Sequence, residues 1–530
     1  MNEEQKKAVK YNKGPLLIIA GAGTGKTRVI VEKIKYLISN NLAKPEQILA
    51  LTFTEKAAQE MEERIDQALP YGYFQMWIST FHSFADRILK EEAHAIGLNL
   101  SFRLLTEAET IIFLRKNLFL FNLHYFRPLG NPNKFLEALL QHFSRLRDED
   151  ISPNEYLDWV QLQKSKPQIK NQEEKIEIEK YLELANAYKT YQTLKTKEGV
   201  FDFADLVFYL NELFRQRPNI VKKYQQQFRY VLVDEFQDTN IAQYQLIKLL
   251  CPAKANPKLT VVGDDSQSIY KFRGASVSNI LTFMKDYPQA KQITLRQNYR
   301  SNQTILDAAY RLIKHNNPDT LEFKLGISKN LIAQKKDRSK EAVNFYLAKT
   351  AEEEADYVCK QILKLKKFYQ FSDFAILARA NNHLAPFIRA LARHGIPYQF
   401  AAPGMLFKQS EVKDLIAYLK VLYNPEDSAS LFRVLSMDIF AIDNRDLTML
   451  LSMSYKLNLS LFQTIEVYLS FFYKQLYVEE FEIYAKYLPF LKKETREKLY
   501  LIYQMIRRQL GLVKKETAGQ ILYYFLEDSN

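Results

Sequence analysis

Two short stretches carry residue types that, brought together, can transfer a phosphoryl group. The first is Ala20-Gly21-Ala22-Gly23-Thr24-Gly25-Lys26-Thr27. Its glycines let successive backbone N–H groups wrap phosphate oxygens, and the positive end of a following helix favours the same charge. Lys26 has the spacing to reach the β/γ-phosphates, and the Thr27 hydroxyl is a ligand for Mg2+. The second stretch is Asp234-Glu235-Phe236-Gln237-Asp238. There Asp234 supplies the metal with an anionic ligand, and Glu235 polarises an attacking water as general base. The expected chemistry is hydrolysis of a nucleoside triphosphate with Mg2+, the metal held by Thr27 and Asp234.

Such groups converge only if strands and helices alternate. Apolar runs at Leu16–Ala20, Ile48–Thr52, Met76–Ser79, Tyr230–Val233, Leu259–Val262 and Lys291–Leu295 read as strands separated by helices. That rhythm predicts a parallel sheet covered on both faces, with the loop at 20–27 leaving the end of its first strand. Residues 85–200 break the rhythm with long, polar, helical patterns and read as an insertion. Two further runs, Val343–Leu347 and Phe374–Ala378, flank a helical stretch and predict a second α/β unit that begins near 281. From about 402 onward helical patterns dominate. The expected division is 1–84 with 201–280, the insertion 85–200, a second unit 281–401, and a helical segment 402–530.

Composition narrows the class of protein. The chain has 530 residues, 47% of them apolar and 25% charged, with a net charge of +13. That is an ordinary multidomain globular composition whose basic excess, concentrated in 281–400, makes a polyanionic partner plausible. Cys251 and Cys359 stand far apart, without metal-ligand spacing, which argues against a disulfide framework. No apolar run approaches a bilayer span and the first residues are acidic, so a cytoplasmic protein with no membrane partner is expected.

Further blocks surround the two phosphate motifs: Leu51-Thr52-Phe53-Thr54-Glu55-Lys56-Ala57-Ala58, Thr80-Phe81-His82-Ser83, Gly263-Asp264-Asp265-Ser266-Gln267-Ser268-Ile269-Tyr270-Lys271-Phe272-Arg273-Gly274-Ala275 and Asn298-Tyr299-Arg300-Ser301. In this order they resemble the UvrD/Rep/PcrA-type superfamily 1 DNA helicases. The segment 234–240, Asp-Glu-Phe-Gln-Asp-Thr-Asn, is similar to that family's second motif. Ala20 departs from the usual loop glycine, Ala204 replaces an acid in a block like the family's DFDDL, and Phe272 stands where the family usually has Trp.

The resemblance implies RecA-like P-loop motor domains with large helical insertions, driven by ATP and Mg2+. It implies an adenine-reading role for Gln5, a stacking role for Tyr299 and a γ-phosphate sensor in Gln267. Arg300 would reach the γ-phosphate from the second motor domain, so the implied catalytic set is Lys26, Asp234, Glu235, Gln267 and Arg300. Gln5, the loop from Ala20 through Thr27, Arg28, Tyr299 and Arg300 would line the nucleotide. Phe53, Phe81, His82, Tyr270 and Phe272 would stack on unpaired bases, with Thr54, Ser83 and Arg273 on phosphates, because stacking tolerates any sequence.

The implied partner is single-stranded DNA and its junctions with duplex, and the implied activity is 3′-to-5′ unwinding in repair or replication restart. Two other readings stand beside it: an ATP-gated single-strand-binding regulator, and the motor part of a helicase–nuclease. The family's later blocks, one with Lys-Gly-Leu-Glu and one with a final arginine, do not occur in residues 400–530. The expectation is therefore a fragment whose second motor domain is incomplete.

Overall fold

The computed structural model describes residues 1–67, 76–165, 172–269, 278–335, 343–400, 406–513 and 515–529. It divides into two units, Met1–Phe345 and Tyr346–Asn530. The first is built on a six-stranded sheet of β1 (Leu16–Ala20), β2 (Ile48–Thr52), β3 (Trp77–Thr80), β6 (Tyr230–Val233), β7 (Lys258–Gly263) and β8 (Lys291–Leu295). Its order is β3-β2-β6-β7-β1-β8, and every pairing is parallel.

Every residue of β1, β2 and β6 is buried. Strands covered on both faces need apolar residues at successive positions, so these read as continuous runs rather than alternations. One face packs Leu17, Ile19, Leu51 and Val233 against α4 (Phe81–Glu92), α9 (Phe203–Gln216) and the helix Ile241–Leu250. The other face packs Leu16, Ile18, Ala50 and Leu232 against α1 (Glu3–Lys10), α2 (Lys26–Ser39) and α3 (Glu55–Asp66).

Two expectations are corrected here. Lys291–Leu295, read with the strands of the parallel sheet, does join it and pairs with β1 from Leu16↔Lys291 to Ala20↔Leu295, so the start of a second unit near 281 falls ahead of the first sheet's last strand. Burial of the far edge of β1 draws the strand into the first sheet. Val343–Leu347 and Phe374–Ala378 form no strand. An extended segment becomes a strand only through a ladder with a partner, and both segments leave apolar side chains open, with Phe345 at 89% and Leu377 at 93% exposure.

The insertion has its own core, in which Phe143 stacks between Tyr188 and Tyr191 at 5.5 and 5.2 Å. Its main helices are α5 (Glu107–Asn117), α6 (Leu136–Asp148), α7 (Pro153–Lys164) and α8 (Gln172–Glu198). A short parallel ladder of β4 (Arg103–Leu104) and β5 (Val200–Phe201) closes its base. Beneath it, buried Lys195 bonds Asp202 and Asp205 at 2.5 Å each, and Arg147 reaches Asp205 at 3.2 Å. The acids of the DFDDL-like block thus brace the insertion onto α9.

In the second unit, the helices Ala351–Leu365 and Ala385–Arg393 enclose Cys359, Ile362 and Leu391. A separate all-helical core gathers Tyr418, Leu431, Leu450, Leu469 and Ile506 from residues 410–528.

Candidate functional site: a phosphate cradle and its sensor

The loop between β1 and α2 turns on two left-handed glycines, Gly23 at φ +75° and Gly25 at φ +86°. A side chain is strained in that conformation. At Gly23 there is no room either, because a Cβ would lie 2.7 Å from Arg300 Cβ and 2.8 Å from Asn298 Nδ2. Thr24 locks the turn by donating from Oγ1 to the Gly21 carbonyl at 2.7 Å. Lys26 and Thr27 then open α2, with the helix N-terminus directed at the space inside the loop.

Lys26 is nearly buried, and its Nζ donates to Glu235 Oε2 at 2.5 Å and to Gln267 Oε1 at 2.9 Å. Beside it Thr27 Oγ1 donates to Asp234 Oδ2 at 3.2 Å. The two motifs, more than 200 residues apart in sequence, thus meet where β1 and β6 end on the same side of the sheet. Glu235 holds a left-handed backbone at φ +48°. Non-glycine residues rarely adopt it, and such strain persists mainly at functional sites.

Burial, reinforced by the neighbouring charge of Glu235, pushes the Asp234 carboxyl up to about 6. The same causes raise Asp238 to about 6. Both shifts mark a pocket poor in positive charge for its acids, and a divalent cation between the Thr27 hydroxyl and Asp234 would relieve the first. Hydroxyl and carboxylate oxygens are the hard donors that Mg2+ takes, so the residues fit the metal. Gln237 completes the acidic side, donating from Nε2 to Glu235 Oε2 at 2.7 Å and accepting from the Asp264 N–H at 3.0 Å.

Against the back of the loop, Gln5 is buried and donates from Nε2 to the Thr24 carbonyl at 2.9 Å. Its helix is fixed by Lys33 of α2, whose ammonium meets the carbonyls of Ala8 at 3.1 Å, Val9 at 3.5 Å and Tyr11. Burial pulls the Lys33 pKa down to about 7. Asn298 donates to the Ala22 carbonyl at 2.6 Å, and the Tyr299 N–H to the Gly23 carbonyl at 2.9 Å. Tyr299 is 43% exposed beside the loop, and its hydroxyl accepts from Asn2 Nδ2 at 3.0 Å. Arg300, the residue that the resemblance brings in from the second motor domain, follows the 298–299 clamp with its Cβ against Gly23. Arg28 lies exposed on the first turn of α2.

The residues expected to touch DNA divide. Phe81 is corrected: at 1% exposure it is the first residue of α4 and points into the core, where no base can stack. His82 is half-buried, edge-on to exposed Phe203 at 6.2 Å, and burial lowers its pKa against the opposing charge of Glu55. Thr54 caps α3, accepting from the Ala57 N–H at 3.2 Å. Ser83 and Thr80 both donate to Glu55 Oε1, at 2.6 and 2.8 Å. Phe53 is partly buried at the end of β2. Tyr270, Phe272 and Arg273 lie outside the described residues.

Sequence reasoning missed Asn298 as the clamp on the loop, Lys33 as the brace of α1, and Lys329. The last bonds Asp264 Oδ1 at 2.5 Å, Asp265, and Ser266 Oγ at 2.8 Å. A single lysine in a polar stretch carries no pattern, and only the fold brings it to those acids. For Asn298, its place beside Tyr299 and Arg300 was a usable signal.

Residues 1–288 match the UvrD/REP helicase N-terminal domain, and residues 293–520 match the UvrD-like helicase C-terminal domain. The second match covers the stretch in which an incomplete motor domain was expected, and it lends that expectation no support. The chain is similar to the ATP-dependent DNA helicase PcrA of Staphylococcus aureus, 35% identical over 98% of this chain and 65% of the relative. It is 36% identical to PcrA of Staphylococcus epidermidis over 88% of this chain and 59% of the relative. With PcrA of Leuconostoc citreum the figures are 35%, 88% and 58%. The chain therefore spans about three-fifths of the length of the curated relatives it matches. Among the described residues no helix is long and apolar enough to cross a membrane. The cradle around Lys26, the acids of β6 and the two matched domains identify the chain as a member of the UvrD/Rep/PcrA family of helicases.

Proposed function

We propose that the chain is the motor of an ATP-dependent DNA helicase that moves 3′ to 5′ along single-stranded DNA in repair or replication restart. One observation carries the reading: Lys26 bridges Glu235 and Gln267, so the phosphate-binding cation, the general base and the sensor share one hydrogen-bonded cluster. With no phosphate to bind, the ammonium occupies Glu235 Oε2 as an ion pair, so that oxygen is not free to take a proton from water. A triphosphate in the loop draws the Lys26 amine to its oxygens and releases Glu235. The base then works only when there is something to hydrolyse. Gln237 keeps its bond to Glu235 and holds the carboxylate in position.

Thr27 and Asp234 would hold Mg2+, which when bound neutralises charge on the phosphate oxygens. Gln5 and Tyr299 would set the base, and the nearby clamp by Asn298 keeps Arg300 beside the loop. On the DNA side His82, Phe53 and Phe203 offer partly exposed aromatic surface to unpaired bases, with Tyr270 and Phe272 expected to join them. The preferred substrates are single strands and their junctions with duplex. The PcrA names of the relatives favour this reading over a regulator that binds DNA without unwinding it.

The test is strand displacement from a duplex with a 3′ single-stranded tail, with ATP and Mg2+. The wild-type chain is expected to unwind it. Glu235→Gln is expected to bind nucleotide within about threefold of wild type while hydrolysis falls about 100- to 10,000-fold, the usual contribution of a positioned base. Hydrolysis on single strands with no displacement would favour the regulator. Loss of nucleotide binding in Glu235→Gln would refute its role as base.

A further inference from the structure

The turn that carries the sensor is held from an unexpected direction. Asp264 and Asp265 follow β7 with side chains only 5% and 4% exposed, and the ammonium of Lys329 bridges the two. Lys329 is itself 10% exposed. Burial works against its charge, yet the two carboxylates hold its pKa above the ordinary lysine value. Burial likewise works against charge on Asp264, and Lys329 overcomes it and keeps that carboxyl below the usual range.

The far oxygen of Asp264 accepts from Gln267 Nε2 at 2.7 Å, which leaves Gln267 Oε1 turned toward Lys26 at 2.9 Å. An unbroken chain of polar contacts therefore runs Lys329–Asp264–Gln267–Lys26–Glu235. Its outer end is anchored. Lys329 lies just before β10 (Ile332–Ala333), which pairs in parallel with β9 (Gln297–Asn298), and the Ile332 N–H donates to the Arg296 carbonyl at 2.8 Å. That ladder leads directly into Asn298, Tyr299 and Arg300.

We propose that Lys329 is a positioning residue for ATP hydrolysis: it fixes Asp264, thereby aims Gln267 at the phosphate, and ties the sensor turn to the β9–β10 ladder. The proposal rests on the nucleotide-hydrolysing reading above. A glutamine amide has two ends of opposite character, and which one faces the phosphate depends on what holds the other. Without Lys329, two buried carboxylates would stand side by side with one forced to take a proton. A protonated Asp264 loses the charge that strengthens its bond to the Gln267 amide, so Gln267 is held less firmly. Misplacement of about 1 Å at a reacting centre can cost on the order of 100-fold in rate.

Lys329→Ala and Lys329→Arg are compared with wild type for steady-state ATP hydrolysis, with and without single-stranded DNA, and for hydrogen exchange of the 264–267 amides. The Ala variant is expected to lose about 10- to 100-fold in kcat with KM within about threefold. The Arg variant, keeping the charge, is expected to recover most of the loss. Exchange of the 264–267 amides is expected to quicken at least about tenfold in the Ala variant only, with protection of β1 and β6 unchanged. Wild-type kcat in the Ala variant overturns the proposal, as does a rise in KM alone, or a general loss of stability that Arg fails to rescue. A wild-type chain without ATPase activity would sink the proposed function instead, and the exchange comparison would then decide the role of Lys329 by itself.

Discussion

Replacing Asp234 with Asn is expected to make the metal-free protein more stable while destroying its activity. Asp234 is 3% exposed, and its carboxyl titrates at about 6 instead of 3.8 because of burial first and Glu235 second. Between those values the folded chain binds a proton that the unfolded chain does not, so stability falls as pH rises through the window and stays low above it. The shift of about two units, at 1.36 kcal/mol each, puts the cost of the ionised carboxylate near 3 kcal/mol at pH 8. Asparagine escapes that cost and keeps both contacts. Its oxygen can take the Glu235 N–H, now 3.0 Å from Oδ1, and its NH2 can face Thr27 Oγ1, whose hydroxyl rotates to accept. The expected gain is about 2–3 kcal/mol at pH 8, shrinking to roughly 1 kcal/mol at pH 4.5. Urea unfolding in EDTA, read through exchange protection of the β6 amides, measures it in the unit that holds the sheet. Mg2+-dependent hydrolysis should meanwhile vanish. A gain independent of pH, or a loss of stability at pH 8, would refute the claim that this carboxylate is held at an electrostatic cost the metal relieves.

Two further substitutions test the cradle and the core. Gly23→Ala puts a Cβ into a left-handed residue with Arg300 and Asn298 at 2.7 and 2.8 Å. It should cost about 1–3 kcal/mol and break the Asn298 clamp, seen as a lower Tm and at least about tenfold weaker nucleotide binding; unchanged binding would mean the clamp is dispensable. Phe81→Ala should lower stability by about 3–5 kcal/mol. Phe81→Leu should keep the fold and the single-strand affinity, and a folded Leu variant that binds DNA poorly would restore Phe81 as a stacking residue.

The sheet strands were legible because a strand buried on both faces has to be apolar at every position, as Leu16–Ala20 and Tyr230–Val233 are. The nucleotide cradle was legible because phosphate chemistry confines glycines, lysine and hydroxyl to fixed spacings. What failed was non-local. The apolar runs at 343–347 and 374–378 have the composition of strands, but no ladder forms on them, and composition says nothing of partners. Lys291–Leu295 was recognised as a strand of the sheet, yet the boundary drawn near 281 cut it off, since its pairing with β1 spans more than 270 residues. Phe81 misled for a local reason. As the first residue of a helix its side chain could face loop or core, and it is buried in the cluster that also holds Trp77 and Phe84. Lys329 was invisible because a buried counter-ion is defined by the charges it meets.

The sheet order also governs how the protein comes off the ribosome. β1 lies between β7 and β8, so the strand that supports the phosphate loop is among the first segments made and among the last to find its neighbours. At roughly 5–20 residues per second, about 15–55 s separate its synthesis from that of β8. The insertion closes its own core from residues 105–200 and can fold within that interval, while five apolar residues of β1 wait unpaired. Parallel pairing at such separation is slow to form. The nascent chain therefore carries an aggregation-prone strand for most of the synthesis of its first unit, and both edges of β1 are covered only after β8 has emerged.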